Sequence, residues 1–329
     1  MPPIRIALWG AGLPLAFALL AAFGPAGAAP ADVSYDQIQI MYFGAASAPS
    51  PGSFEAIRAG LASQTAQSDD YPPPAANYMA TSLAAVQRMQ HGVLLHVSYL
   101  GDRSRVDDPA TQRATIVQSD KNEVIYLDLA AKTYRTVTGD AATRLLAPGT
   151  VDALKSAIAV PTNAASADPQ IGTETIASTV SAGEVEGTTI DGIATHGIKT
   201  TLTAASQAAT GSCPQFSTEM TVIQYVDPAR DERPKNTIPS GAVDAIRGTL
   251  HGLPSLNCNF TFAPGPSPAP LPDSKRFLLY ARTDSSTTLP ILAAPITYSM
   301  IIARGNLHDL GPGDAALFEI PAGFTAAGT

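Results

Sequence analysis

The sequence predicts a mainly β protein with a smaller helical part, an α+β fold built on an antiparallel sheet. The first observation is a period of two from Val93 to Leu100. Alternate side chains of a strand lie on the same face, which places Val93, Leu95, Val97 and Tyr99 together. The second is a set of β-rich runs that follow at short intervals, at 112–118, 123–129 and 132–138, which is typical of a meander. The third is the return of such runs at 184–203, 217–227, 275–283 and 294–304.

Turn residues separate these runs. Asp120-Lys121-Asn122 and the stretch from Asp128 to Lys132 each combine residues that favour turns. Asp191-Gly192 predicts a tight hairpin turn inside the run 184–203. The sequence therefore predicts strands joined by short connections.

Helical patterns occupy two stretches. Over 53–66, Ser53 can cap the first turn, and Phe54, Ile57 and Leu61 recur at helical spacing. A second helix is predicted over 140–159, with Asp140 as its cap. Ser, Thr and Ala dominate 162–183, which predicts a loop, and the proline-rich run 264–273 predicts a stiff extended linker or surface loop.

Residues 1–28 have the pattern of a secretory signal. Arg5 is followed by an apolar stretch and then by small residues that fit cleavage after Ala28. An uncleaved anchor is the alternative, but Gly and Pro residues interrupt the apolar stretch. We therefore expect a periplasmic or secreted protein with no transmembrane segment in the mature chain. The following stretch, 29–52, is low in charge and predicts an arm or linker.

The charge balance excludes one class of partner. The chain carries 20 basic and 28 acidic residues, for a net charge of −8. Nucleic-acid binding needs a basic footprint that displaces counterions, so no nucleic-acid partner is expected. The same balance argues against electrostatic docking on anionic lipid surfaces.

The common catalytic motifs are absent, and the five histidines show no metal-ligand spacing. The pair Asp107-Asp108 lies beside a turn and is interpreted as a solvated turn and not as a catalytic dyad. The sequence thus predicts no catalytic residue, no metal site and no cofactor. A non-enzymatic protein is expected, with a hydrolase as the least favoured alternative because no nucleophile–base pair can be named.

The two cysteines, Cys213 and Cys258, are expected to form a disulfide, because an even count in an oxidising compartment favours pairing. A reactive thiol is the alternative, but the sequence offers no activating partner.

Several motifs occur in a fixed order along the β-rich spans. Gly101-Asp102-Arg103-Ser104-Arg105-Val106-Asp107 follows the first run, and Leu127-Asp128 precedes Lys132-Thr133-Tyr134. Gly187 to Thr195 and the ending Phe318-Glu319-Ile320-Pro321-Ala322-Gly323-Phe324 come later. This ordered set resembles the LolA-like superfamily of exported bacterial proteins, in its poorly characterised secreted branch more than in the lipoprotein carrier LolA.

The resemblance implies a strongly curved antiparallel sheet, an incomplete β-barrel, with helices on its concave face. It implies a domain over 78–329, with residues 78–86 as its first strand although local propensity there favours helix. Residues 29–77, an N-terminal arm with a short helix, and an insertion at about 205–274 would be additions to the family pattern.

A half-barrel would bring side chains of one parity to a common interior. The residues expected to line this hypothetical ligand cavity are Leu95, Val97, Tyr99, Val124, Tyr126, Val222, Ile296, Tyr298, Met300 and Ile302. Arg103 and Arg105 are expected at its rim, where they could engage a head group. The predicted function is binding or carrying a lipid, a lipoprotein or another apolar ligand. The alternative is a structural or interaction protein of the cell envelope, with a filled core and an envelope protein as partner.

Overall fold

The computed structural model describes residues 32–44, 50–61, 88–139, 172–211, 213, 215–231, 258–263, 276–288 and 294–327. The predicted helix 140–159, the predicted strand 78–86, the signal 1–28 and the proline-rich run lie outside these residues.

Within the described residues, thirteen strands form one large mixed sheet that does not close into a barrel. The strands are β1 (Val33–Phe43), β2 (Val93–Leu100), β3 (Arg103–Asp108), β4 (Arg113–Gln118), β5 (Glu123–Asp128), β6 (Thr133–Thr138), β7 (Gly172–Val185), β10 (His196–Ala209), β11 (Ser217–Asp231), β12 (Cys258–Phe262), β13 (Arg276–Thr288), β14 (Ile296–Asp309) and β15 (Thr325–Ala326). A separate two-stranded hairpin consists of β8 (Thr189–Ile190) and β9 (Ile193–Ala194).

The order across the large sheet is β12-β7-β10-β11-β13-β14-β1-β2-β3-β4-β5-β6-β15. All neighbours are antiparallel except β12 with β7 and β15 with β6, which are the two outermost pairs. The predicted meander is confirmed: β2 to β6 follow one another in space as in sequence. Asn122 and Lys132 take positive φ at two of its turns, at 50° and 53°, which agrees with the predicted turn positions.

Two predictions of non-strand structure are wrong. The stretch 29–52 contains β1, which lies in the middle of the sheet and pairs with both β14 and β2. The stretch 162–183, expected to be a loop, contributes residues 172–183 to β7. Its even-numbered positions from Gly172 to Ser178 are buried, whereas Thr173 and Thr179 are exposed, so this segment has the alternation of a half-buried strand although it is rich in Ser and Thr.

The predicted short helix is present as α1 (Phe54–Leu61). Its backbone begins as expected, with Ala56 N–H donating to Ser53 Oγ at 3.2 Å. A second acceptor comes from the β8–β9 turn, where the Asp191 carboxylate accepts from Phe54 N–H at 3.0 Å. Phe54 and Ile57 then pack on β14 in a cluster with Ile301 and other buried residues.

The sheet has two faces, which we name by what lies on them. The helix face carries Ile38, Ile40, Ile301 and Ala303 at the centre and Ile116, Ile125 and Leu127 on the meander. It is covered by α1, by the β8–β9 hairpin and by a 3-10 helix (Pro312–Phe318). The opposite face, which we call the cavity face, carries Met41, Leu95, Val97, Val106, Thr115 and Met300. Helices were expected on the face that holds the predicted ligand residues. Among the described helical segments, α1 and the 3-10 helix pack on the opposite face, and the helical turn at 88–91 lies on the cavity face.

Candidate functional site

An open cavity of about 340 Å³ lies on the cavity face, above β1 to β4. Its apolar wall consists of Val93, Leu95 and Val106 from the sheet and Met89 from the helical turn at 88–91 that precedes β2. Gln39 from β1 also lines the cavity. Small-molecule sites in proteins measure about 300–1,000 Å³ and are mainly apolar, so this cavity has the size and lining of a small site.

The helical turn at 88–91 divides the cavity from a filled part of the same face. Gly92 ends the turn with φ 84°, a value that glycine adopts without strain, and its N–H donates to the carbonyl of Met89 at 3.1 Å. Met89 is thereby held against the sheet, where it packs with Met41, Tyr298 and Met300. Burial raises the pKa of the Tyr298 phenol to about 12 although Ser285 donates a hydrogen bond to it.

The other end of the cavity is charged. Asp108 ends β3 and Arg113 begins β4 directly opposite, so the two residues close the β3–β4 hairpin. Arg88, from the helical turn, forms an ion pair with Asp108 Oδ2 at 2.5 Å, and both side chains are mostly buried, at 14% and 17% exposed. Asp108 Oδ1 accepts from the N–H groups of Ala110 and Thr111 at 3.2 and 3.3 Å. Asp108 was expected in a solvated turn; it does organise the turn, and it also fixes an arginine at the cavity.

The ladder shows where the predicted ligand residues of the meander lie, because directly paired residues share a face. Tyr99 pairs with Ser104, and Ser104 pairs with Val117. Val117 in turn pairs with Val124. Tyr99 and Val124, three strands apart, therefore lie on the same face, and alternation adds their neighbours Leu95, Val97 and Tyr126.

The same reasoning covers the long strands. Met300 pairs with Met41 on one side and with Thr283 on the other, and Thr283 pairs with Val222. All ten predicted side chains accordingly project from the cavity face: Leu95, Val97, Tyr99, Val124, Tyr126, Val222, Ile296, Tyr298, Met300 and Ile302. Only Leu95 of these lines the cavity, whereas Val97, Val124, Val222, Tyr298 and Met300 are buried and the rest are half-buried.

The expected rim arginines lie on the opposite side of the sheet, so that prediction is wrong. Ser104 shares the face of Tyr99, so Arg103 and Arg105 on either side of it project from the helix face. Arg103 forms ion pairs with Asp120 and Glu319, and the hydrogen bond from Arg103 lowers the pKa of the Asp120 carboxyl.

Arg105 also belongs to the contacts that hold the C-terminal segment on the meander. It forms an ion pair with Asp107 and donates to the carbonyl of Leu317 at 2.9 Å. The charged groups at the cavity, Arg88, Asp108 and Arg113, were not predicted. The register could have indicated Arg113, because it pairs with Asp108 and has the parity of Leu95 two strands away.

The two cysteines lie near each other in the backbone. Cys258 begins β12, where it pairs with Gly172 of β7. A side chain added at Gly172 would come within 2.7 Å of the Cys213 sulfur, which puts that sulfur next to the same point of the sheet. The described residues contain no free cysteine. The Cys213–Cys258 bond stays a prediction that this backbone arrangement supports.

The described residues offer neither a metal-binding cluster nor a membrane-spanning helix. No group of three or more His, Cys, Asp or Glu side chains there could hold a metal ion. None of the helices in the described ranges is both long and apolar enough to cross a membrane. Comparisons of the chain with models of protein families, with curated proteins and with solved structures found no match.

Proposed function

We propose that the protein binds a small apolar ligand in the cavity above β1 to β4 and performs no chemistry on it. The observation that carries the proposal is the cavity itself, a concave site with an apolar wall and one charged end. The ordered motifs that resemble the LolA-like superfamily add support, since such proteins are expected to hold apolar ligands on one face of their sheet.

The cavity volume limits the ligand. A methylene group is about the size of a water molecule, which takes about 30 Å³ in the liquid, so 340 Å³ holds on the order of ten such groups. One medium-length chain fits, and several acyl chains do not. Burial at about 0.8 kcal/mol per methylene gives roughly 8 kcal/mol before association costs of at least about 4 kcal/mol. The net free energy of at most about 4 kcal/mol corresponds to a Kd of about 1 mM or weaker from this burial alone.

Neighbouring leucines on β2 provide a matched test. Leu95 projects into the cavity, whereas Leu94 projects from the helix face, and both are half-buried against the core. The experiment is fluorescence titration with N-phenyl-1-naphthylamine, an uncharged apolar dye, on the wild type, Leu95→Arg and Leu94→Arg. Circular dichroism of each variant verifies that it is folded. The proposal would be supported if the wild type binds the dye saturably, if Leu95→Arg lowers the affinity for the dye at least tenfold, and if Leu94→Arg keeps the wild-type affinity.

A filled core is the competing proposal, in which the protein is a structural or interaction protein of the envelope. The observation that favours it is the burial of Met41, Tyr298 and Met300 at 1–3% exposed, because this part of the cavity face is already packed. Absence of saturable dye binding to the folded wild type would refute the ligand proposal and leave this one.

We also propose that the chain is exported to the periplasm or beyond and loses residues 1–28. The basis is the signal pattern in the sequence. N-terminal sequencing of protein from the envelope fraction should find Ala29 first; Met1 retained on membrane-bound protein would contradict the proposal.

A further inference from the structure

Met89 belongs both to the open cavity and to the filled part of the cavity face. It lines the cavity beside Val93, and it also packs with Met41, Tyr298 and Met300, so that only 3% of its surface is exposed. Those three side chains are themselves 1–3% exposed. One unbranched side chain therefore separates the open space above β1 to β4 from an apolar layer on the same face.

The strand register places this apolar layer in line with the floor of the cavity. Gln39 of β1 lines the cavity, and Met41 is the next residue of β1 on the same face, about 7 Å further along the strand. Met41 pairs with Met300 of β14. An alkyl chain that ran along β1 would therefore meet Met89 at the end of the cavity, and Met41 and Met300 lie behind that side chain.

The charges at the other end of the cavity balance one another. Arg88 forms an ion pair with Asp108, and Arg113 lies directly opposite Asp128 on β5, so these four described side chains contribute two cations and two anions. Such an end lets a polar head group stay hydrated, and its balanced charge gives no reason to prefer an anionic or a cationic head. The apolar part of the cavity can then distinguish ligands by the length of their chain.

We propose that Met89 determines ligand specificity, because its side chain forms the end wall of the cavity and limits a single alkyl chain to about ten carbons. This inference rests on the proposed function, because it names the ligand class of the same cavity. Burying each methylene group strengthens binding about fourfold, but only while the chain has cavity wall to contact. Once the methyl end reaches Met89, a further methylene must stay in water or displace a packed side chain.

The test uses alkyl maltosides with eight to thirteen carbons as competitors for bound N-phenyl-1-naphthylamine, each below its micellar concentration. All of them carry the same uncharged head, so only the chain length changes. The wild-type affinity should rise about fourfold per carbon up to about ten carbons and then level off.

Met89→Ala should move this limit. The substitution removes Cγ, Sδ and Cε, which adds room for about three methylene groups beside Met41 and Met300. The affinity of the variant should therefore keep rising to about thirteen carbons. Tridecyl maltoside should displace the dye from Met89→Ala at a concentration at least tenfold lower than the wild type requires.

Met220→Ala is the matched control. Met220 is 0% exposed and projects from the same face, because it pairs with Ser285 and Ser285 pairs with Tyr298, but it lies on β11 and does not line the cavity. Its truncation removes the same three atoms and should leave the wild-type chain-length limit unchanged. Circular dichroism verifies that both variants are folded.

Methyl NMR of the wild type gives a second measurement, which does not depend on the folding of Met89→Ala. The protein is labelled with ¹³C-methyl methionine, and the Met89 signal is assigned by its loss in Met89→Leu, a substitution that nearly conserves volume. Decyl maltoside should shift the Met89 methyl signal and leave the Met220 methyl signal in place.

The outcomes separate this inference from the proposed function. The same chain-length limit in the wild type and Met89→Ala, or an unshifted Met89 signal while decyl maltoside displaces the dye, would overturn the end wall and leave the apolar site intact. An equal change of the limit in Met220→Ala would also overturn it. A wild type that binds no dye would overturn both proposals. A longer limit in Met89→Ala alone, together with a shifted Met89 signal in the wild type, would support the inference.

Discussion

Phe318 provides the sharpest stability prediction, because its neighbour in the chain is a built-in control. Phe318 is fully buried, at 0% exposed, where the 3-10 helix meets the meander, and it packs with Ala114, Ile116, Ile125 and Leu127. Leu317, one residue earlier in the same helix, is 40% exposed. Changing either to alanine leaves the backbone hydrogen bonds of this segment available.

The two substitutions should differ greatly in cost. Removing a buried phenylalanine side chain loses its transfer free energy and leaves a cavity, which together destabilise by about 3–5 kcal/mol. The surface change Leu317→Ala should cost within about 0.5 kcal/mol. With a urea slope of about 3 kcal/mol per molar, Phe318→Ala should lower the unfolding midpoint by at least about 1 M.

The assay is urea unfolding of both variants and the wild type, followed by circular dichroism of the sheet. Equal midpoints for Phe318→Ala and Leu317→Ala would show that the 3-10 helix contributes nothing to the stability of the sheet, and the packing described for the helix face would then be refuted.

Three further changes test other parts of the sheet by urea unfolding. Gly305→Ala would place a Cβ 2.3 Å from Phe54 Cγ and 2.4 Å from Phe54 Cβ and should cost about 1–3 kcal/mol, and much less in a Phe54→Gly background, which removes both atoms; equal costs in both backgrounds would contradict the contact. Glu174 is 1% exposed, and burial raises the pKa of its carboxyl although a hydrogen bond from a serine hydroxyl opposes the shift. The folded state therefore holds the proton more tightly than the unfolded state does. Wild-type stability should accordingly fall as the pH rises above the ordinary pKa of a glutamic acid. Glu174→Gln should therefore be more stable than the wild type at pH 7 and nearly equal to it at pH 4; the reverse order at pH 7 would refute the argument. Cys213→Ser should lower stability by up to about 4 kcal/mol if Cys213 and Cys258 are joined across 45 residues, and a non-reducing peptide map should show the joined peptides; unjoined peptides would refute the bond.

The sequence predicted the meander well because each strand there is short, apolar on a regular period and bounded by turn residues. It also predicted which side chains share a face, since parity needs only the strand pattern and a correct register. The sequence did not predict β1, although Val33, Tyr35 and Ile38 are residue types that favour strands. The residues on either side of β1 are rich in Ala, Ser and Pro, and this composition favours a linker.

The sequence could not indicate which face of the sheet the helices cover. An amphipathic helix such as α1 shows that it has one apolar side, but both faces of this sheet are apolar near β1, and only the tertiary contact of Phe54 with β14 decides between them. The charged end of the cavity was missed for a related reason. Arg103 and Arg105 are prominent in the sequence, whereas Arg88 and Arg113 acquire their place only from the pairing of β3 with β4 and from the turn before β2.

The position of β1 has a consequence for how the molecule is made. Val33 pairs with Asp309, so the middle of the sheet joins two segments that are 276 residues apart in the sequence. The ribosome synthesises β1 long before β14. The backbone N–H and C=O groups along one edge of β1 therefore stay unpaired, and its apolar side chains stay partly uncovered, while the intervening residues are synthesised. Contacts of such long sequence separation make folding slow, and unpaired edges favour aggregation. Any chain truncated before β14 would leave that edge of β1 unpaired, so the last tenth of the sequence, which carries β14, decides whether β1 is protected from aggregation.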